Sequence, residues 1–197
     1  MNPTLLPAVA LLALSEPASL PPGAAEALAR GEVVVASAPQ RLKGSVRFDA
    51  WVDVPAEISR TWSSLVDLAA RDRASRTIIG ADVYRMENYP DGSTRRCVRW
   101  EGSRFGLGFV YHHCYLADPQ RTRLIHTLDP DRVSDLRLAD GVFELSTPGA
   151  PDVTRVHYAA ETALAESMPD FLVAWVSGTN AREFLADVRA RAAAPVP

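Results

Sequence analysis

The sequence "SVRFDAWVDVPAEISRTWSSLVD" (residues 45–67) joins a strand pattern to a helix pattern across a single proline. Apolar side chains occupy every second position of residues 46–54, and most of the positions between them are polar, which predicts a half-buried strand. Pro55 ends this strand, because proline has no amide hydrogen to donate to a sheet. Apolar residues then recur at helical spacing over 58–69, which predicts one helix or two short ones.

Turn residues divide the next part of the chain into short strand-like runs. The strongest signal is Pro90-Asp91-Gly92, and further turns contain Asp118-Pro119 and Pro148-Gly149. Because such turns are short, consecutive strands pair with each other, which predicts an antiparallel meander. The predicted strands occupy residues 81–89, 93–102, 106–118, 121–128, 141–147 and 153–164.

The last part of the chain has the pattern of one long amphipathic helix. Ser167 is placed as a helix cap, Pro169 and Asp170 follow it, and apolar residues recur at helical intervals over 171–188. At 3.6 residues per turn, this helix has about seven turns. Its apolar face needs a partner, and the meander is the only large surface that the sequence offers.

Three stretches carry a resemblance to a known family: "VDVPAEISRTWSSLVD" (52–67), "DGVFELST" with "TRVHYAAET" (140–162), and "MPDFLVAW…FLADVRARA" (168–192). They resemble the START-like, or SRPBCC, superfamily, nearest to its polyketide cyclase/dehydrase and coenzyme Q-binding branch. The resemblance implies an α+β helix-grip fold, in which a curved antiparallel sheet of about seven strands wraps around a long C-terminal helix. It also implies a hydrophobic cavity between the sheet and the helix.

The chain divides into a leader, an extension and one ligand-binding domain. Residues 1–22 form the leader, whose apolar run and small residues resemble a signal peptide, although no Lys or Arg precedes the run. Residues 23–43 form an N-terminal extension with a short helix, and residues 44–197 form the START-like domain. "ALARGEVVV" (27–35) resembles a leader in exported relatives, so we expect a periplasmic or secreted protein, with a cytoplasmic one as the alternative.

Composition limits the classes of partner. The 197 residues are 47% hydrophobic and carry a formal net charge of -3, whereas general nucleic-acid binders usually have a strong basic excess. We therefore expect no nucleic-acid partner. No apolar run approaches the roughly 20 residues of a spanning helix, so no transmembrane segment is predicted, and transient membrane contact stays open.

The stretch "YHHCY" (111–115) gathers groups that could bind a metal or catalyse a reaction. Neighbouring side chains of a strand point to opposite faces, so His112 and His113 point apart and cannot both bind one ion without a bulge. We therefore predict no metal site. Cys97 and Cys114 become neighbours in an antiparallel register in which paired numbers sum to 211, so they form either a disulfide or buried thiols.

The odd-numbered face of that strand is aromatic and is the predicted wall of the cavity. Ligand pockets are mostly apolar, with a few placed polar groups. The alternative is a filled core, because large residues between a sheet and a helix usually pack against each other. The predicted ligand-binding residues are Trp100, Phe109, Tyr111, His113, Tyr115, His126, Phe143, Tyr158 and Trp175.

The leading hypothesis is a non-catalytic binder or carrier of a hydrophobic small molecule, such as a lipid, a quinone or a polyketide-like compound, with no cofactor. The alternative is an enzyme of the polyketide cyclase/dehydratase type. In that enzyme His113 or His126 moves a proton, and Tyr111 or Tyr158 holds a carbonyl oxygen of the substrate. A third hypothesis is a protein–protein adaptor that uses the outer face of the sheet.

Overall fold

The computed structural model describes residues 19–70, 75–104, 107–164 and 170–195. For residues 104, 107 and 170–176 it describes the backbone alone. Most of the predicted leader and the predicted helix cap at Ser167 lie outside the described residues.

The secondary structure follows the predicted order. The helices are α1 (Ala24–Ala29), α2 (Ile58–Val66) and α3 (Asp170–Ala193). The strands are β1 (Val34–Ala38), β2 (Val46–Val54), β3 (Ile78–Asn88), β4 (Thr94–Arg104), β5 (Leu107–Asp118), β6 (Arg123–Leu128), β7 (Leu136–Ser146) and β8 (Thr154–Leu164).

The eight strands form one antiparallel sheet in the order β1-β2-β8-β7-β6-β5-β4-β3. Strands β3 to β8 are a meander, as predicted, and β2 closes onto β8, the last strand of the meander. The sheet is curved and not closed, with β1 and β3 at its edges. With α3 packed on it, the protein is an α+β helix-grip structure, which confirms the predicted fold class.

The sheet has one strand more than the roughly seven that were predicted. The additional strand, β1, lies in the segment assigned to the N-terminal extension and pairs with β2 from Val34 opposite Trp51 to Ala38 opposite Arg47. Its sequence, "VVASA", is short and its residues are mostly half-buried, so it lacks the alternation by which a strand is recognised. Part of the extension therefore belongs to the sheet.

The junction around Pro55 is built as the sequence predicts. Val52 and Val54, at the end of β2, are completely buried, and Pro55 follows the strand directly. Helix α2 ends at Val66, because the backbone of Asp67 leaves helical geometry (φ -75°, ψ 79°). The chain is helical again at Ala69 and Ala70, so the stretch contains a break.

Helix α3 packs across β2 and β8 and also contacts α2. Its buried residues recur at helical spacing and lie on one face: Ala181, Phe184, Leu185, Val188 and Ala192. They join one hydrophobic core with the inner face of the sheet. Among the described residues, no helix combines the length and the hydrophobicity needed to cross a bilayer.

The β4–β5 hairpin has the predicted register, in which paired residue numbers sum to 211 throughout. Cys97 lies opposite Cys114, with a Cα–Cα distance of 3.9 Å, and the two sulfur atoms form a disulfide. The sequence left a disulfide and two buried thiols as alternatives, and the structure has the disulfide.

Candidate ligand-binding site

Large side chains cover the inner face of the sheet in one continuous layer. The alternation of each strand turns them toward α3, and the outer face carries their sequence neighbours. We refer to eight of these residues as the inner aromatic layer: Trp100, Phe109, Tyr111, His113, Tyr115, His126, Phe143 and Tyr158.

The rings of the inner aromatic layer contact each other closely. Phe143 and Tyr158 stack with their ring centroids 3.9 Å apart, and the centroids of His113 and His126 are 4.8 Å apart. Phe143 also meets Phe184 of α3 edge-to-face at 5.4 Å. This part of the concave face is therefore closely packed, as aromatic contacts at these distances are in protein cores.

His126 and Tyr158 form a hydrogen-bonded pair inside this layer. The Nδ1 atom of His126 lies 3.3 Å from the carbonyl oxygen of Ala139, and its Nε2 atom lies 3.0 Å from the Tyr158 hydroxyl oxygen. A carbonyl oxygen can only accept, so in the neutral ring Nδ1 carries the hydrogen and Nε2 accepts from the Tyr158 hydroxyl. His126 is thus placed as a base toward a buried phenol.

His113 is held in a similar way. Its Nδ1 atom lies 3.2 Å from the Tyr115 hydroxyl oxygen, and its ring meets that of Tyr111 at a centroid distance of 4.8 Å. Both predicted acid–base histidines therefore contact a tyrosine hydroxyl in a buried environment, where a proton can move without competition from bulk water.

A glycine makes room for the His126 ring. A Cβ atom on Gly141, which faces His126 across the β6–β7 pair, would overlap the imidazole and lie 2.9 Å from Cε2 of Tyr158. No larger residue fits at position 141 unless the His126–Tyr158 pair moves.

A half-open pocket adjoins the layer where α2 passes over β4, β5 and β6. Its volume is about 210 Å³. Its wall is mostly apolar, and its polar members come mainly from β4 and from Tyr115. The lining residues are Trp62, Val66, Leu68, Gly92, Thr94, Arg96, Tyr115, Ala117, Pro119 and Leu124.

Tyr115 links the predicted site to this pocket. Of the predicted ligand-binding residues whose side chains the structure describes, it alone lines this pocket, and it also touches Trp100 and His126 of the inner aromatic layer. The side chain of the predicted Trp175 lies outside what the structure describes. Sequence reasoning placed Trp62 on the apolar face of α2 but did not connect it with β4.

Arg96 was also missed, although the sequence holds a signal for it. It alternates with Val98 and Trp100, so it is a charged residue on the apolar face of β4. A cation at such a position either points into an opening or needs a partner.

The outer face of β4 and β5 carries a second cluster. The carboxylate of Asp129 lies within 4.8 Å of the sulfur atoms of Cys97 and Cys114 and accepts a 2.7 Å hydrogen bond from the Tyr84 hydroxyl. Because the sulfur atoms are joined in a disulfide, neither is a thiolate that could bind a cation in this state. His112 lies on this face and meets Tyr84 edge-to-face at 5.7 Å, so the two histidines of "YHHCY" point apart as predicted.

Burial by itself raises the pKa of the Asp129 carboxyl. The hydrogen bonds from the Tyr84 hydroxyl and the Asp131 amide, with the nearby Arg85 guanidinium, outweigh burial and hold the pKa below its usual value. Asp129 is therefore an ionised, hydrogen-bonded carboxylate beside the disulfide.

The comparisons with known proteins bear on the fold of the chain and not on its activity. No protein-family profile and no curated protein matches the chain. Solved structures do match. The Zhui aromatase/cyclase from Streptomyces sp. R1128 has a TM-score of 0.62 at 14% identity, over 75% of this chain and 93% of that one.

Two further structures resemble the chain to a similar degree. A STAR-related lipid transfer protein from Xanthomonas axonopodis has a TM-score of 0.61 at 16% identity, over 81% of this chain and 93% of that one. A START superfamily protein from Mycobacterium smegmatis has a TM-score of 0.59 at 18% identity, over 74% and 96%. At these identities the likeness concerns the fold and not the chemistry. The curved sheet, the helix across it and these matches together show that the chain has a START-like helix-grip fold.

Proposed function

We propose that the protein binds and carries a hydrophobic small molecule, which enters between α2 and the concave face of the sheet. The observation that carries this proposal is the half-open pocket of about 210 Å³, with its mostly apolar wall. Pockets for small molecules are typically apolar with few polar groups, and this wall has that character.

The neighbouring structure that is named as a lipid transfer protein supports this class of function. The one that is named as an aromatase/cyclase agrees instead with the second candidate function below. The inner aromatic layer next to the pocket is closely packed. A bound ligand therefore displaces solvent from the pocket without rearranging the core. Burial of apolar ligand surface supplies the free energy of binding, about 25 cal/mol per Å².

Native mass spectrometry of mildly purified protein tests the proposal. We expect a co-purifying apolar compound of low mass. Ala117→Trp fills the pocket from β5 and is expected to lower the occupied fraction at least tenfold. Leu116→Trp, on the opposite face of the same strand, is the matched control and keeps the wild-type occupancy. Equal occupancy in both variants, or no bound compound in any preparation, would overturn the proposal.

A second candidate function is an acid–base enzyme of the cyclase/dehydratase type. The observation that favours it is the buried His126–Tyr158 pair, in which the imidazole accepts from the phenol at 3.0 Å. If a polyketide-like substrate reaches this pair, Nε2 of His126 can take a proton from a substrate carbon, while the Tyr158 hydroxyl turns to donate a hydrogen bond to the carbonyl oxygen that becomes an enolate. The enzyme hypothesis expects His126→Gln to abolish turnover of an aromatising polyketide while the thermal midpoint is kept. A carrier catalyses no reaction, so in that case His126→Gln changes only the affinity for the ligand, and by a moderate amount.

For the compartment, we propose export into an oxidising environment. The Cys97–Cys114 disulfide supports this, because disulfides persist outside the reducing cytosol. Alkylation of free thiols in freshly lysed cells, before any air oxidation, tests it. Unlabelled cysteines are expected, and quantitative labelling of both would count against export.

A further inference from the structure

Arg96 is a charged residue in the wall of the pocket. Arg96, Val98 and Trp100 lie on the same face of strand β4. Val98 and Trp100 are buried in the core, and Arg96 lies where this face borders the pocket. There it lies beside apolar pocket residues such as Trp62 and Leu124. An arginine in this setting exposes a fixed fork of donors to whatever fills the pocket.

The surroundings of the Arg96 guanidinium differ from those of Arg95 and Arg99, which also lie on β4. Its Nε atom is buried and has no hydrogen-bond partner, and no carboxylate pairs with it in the part of the chain that the structure describes. The neighbouring arginines of β4 differ, since Arg95 lies 4.0 Å from Glu87 and Arg99 pairs with Glu101. A buried donor without an acceptor is destabilising by about 1–3 kcal/mol. An anionic occupant of the pocket would give the Arg96 side chain an acceptor that the described residues do not supply.

We propose that the occupant is an amphiphile with an anionic headgroup, a carboxylate or a phosphate, which pairs with Arg96 while its apolar part contacts Trp62, Leu68 and Leu124. This inference rests on the proposed function and specifies the ligand class for the same pocket. Guanidinium and carboxylate or phosphate groups match in geometry, because two parallel N–H donors meet two oxygen acceptors. Shielding of the pair by the apolar wall strengthens it over the same contact in water.

The size of the pocket suggests a probe. A volume of about 210 Å³ is about seven times the space of one water molecule in the liquid. A chain of about eight carbon atoms fills such a space. Octanoate and 1-octanol share this chain and differ in the charge of the headgroup, so the pair isolates the contribution of the anion.

The test is calorimetric titration of the whole chain with octanoate, 1-octanol, octyl phosphate and inorganic phosphate at neutral pH. We expect octanoate or octyl phosphate to bind about 10- to 100-fold more tightly than 1-octanol, as hydrogen bonds to charged groups usually contribute. Arg96→Gln should remove this difference, so that octanoate and octyl phosphate bind no more tightly than 1-octanol does. Arg95→Gln, on the outer face of the same strand, is the matched control and should retain the preference for the anion.

The possible results separate this inference from the proposed function. Equal affinities of the wild-type protein for octanoate and 1-octanol would overturn the inference that the ligand has an anionic headgroup. The proposal that the protein carries a hydrophobic ligand would not be affected. This comparison needs no variant, so it holds even if Arg96→Gln does not fold. Inorganic phosphate binding as tightly as octyl phosphate would mean a site for free anions and would also overturn the inference. Binding of none of the four probes would count against the pocket and thus against carriage itself.

Discussion

At the scale of single residues, Glu161 shows how a buried charge holds the N-terminal segment to the sheet. Its carboxylate is completely buried on β8 and accepts hydrogen bonds from the Arg41 and Leu42 amides at 2.8 and 3.0 Å. It also accepts from the Ser45 hydroxyl and the Arg41 Nε, both at 2.5 Å. Burial alone raises the pKa of Glu161, but these hydrogen bonds outweigh it and lower the pKa to about 2.

This lowered pKa predicts a specific sensitivity to acid. A carboxyl whose pKa is lower in the folded than in the unfolded chain stabilises the fold above the unfolded value of 4.5, and this contribution is lost as pH falls toward about 2. Glu161→Gln should lower the stability at neutral pH and flatten the loss between pH 4.5 and 2. Urea unfolding at several pH values measures both effects.

The control for this experiment is Glu57→Gln, which changes an exposed glutamate just before α2. We expect it to keep the wild-type dependence on pH. If Glu161→Gln loses stability with acid as steeply as the wild type does, the carboxylate does not act as described.

At the scale of elements, two glycines with different surroundings give opposite predictions. Gly178 lies inside α3, and among the described residues a Cβ atom there would approach Cγ1 of Val35 alone, at an ordinary contact distance of 3.9 Å. Alanine favours a helix interior over glycine by about 1 kcal/mol. Gly178→Ala should therefore raise the unfolding free energy by about 0.5–1 kcal/mol, measured by urea denaturation.

Gly141→Ala provides the contrast on β7, because its Cβ would overlap the His126 ring. We expect a loss of stability of about 1–3 kcal/mol, the usual range for overpacking. A destabilising Gly178→Ala would mean that α3 lies closer to β1 than the structure shows.

The elements also show what the sequence can and cannot predict. Alternation of side chains assigned the inner face of β4 and β5 correctly, because one face of a packed sheet is always apolar. It could not show that this face is filled near His126 and open near Arg96. That difference arises in the pocket between α2 and β4, and its lining residues Trp62 and Arg96 are too far apart in the sequence for any local pattern to connect them.

At the scale of the whole molecule, the Cys97–Cys114 disulfide links two neighbouring strands of the meander, β4 and β5. It closes a loop over a sequence separation of 17, for which loop-closure entropy predicts about 3 kcal/mol of stabilisation. The double substitution Cys97→Ala with Cys114→Ala should lower the urea midpoint accordingly. Wild-type protein treated with a dithiol reductant should approach the same midpoint, and an unchanged midpoint in both cases would contradict the prediction.

The disulfide also has a geometric consequence for the pocket. Cys97 opposite Cys114 is the next pair along the hairpin from Arg96 opposite Tyr115. A slip of β4 by one position would turn Arg96 toward solvent and bring Arg95 inward. The covalent bond prevents that slip. It therefore fixes the register of the hairpin, so that Arg96 and not Arg95 faces the pocket.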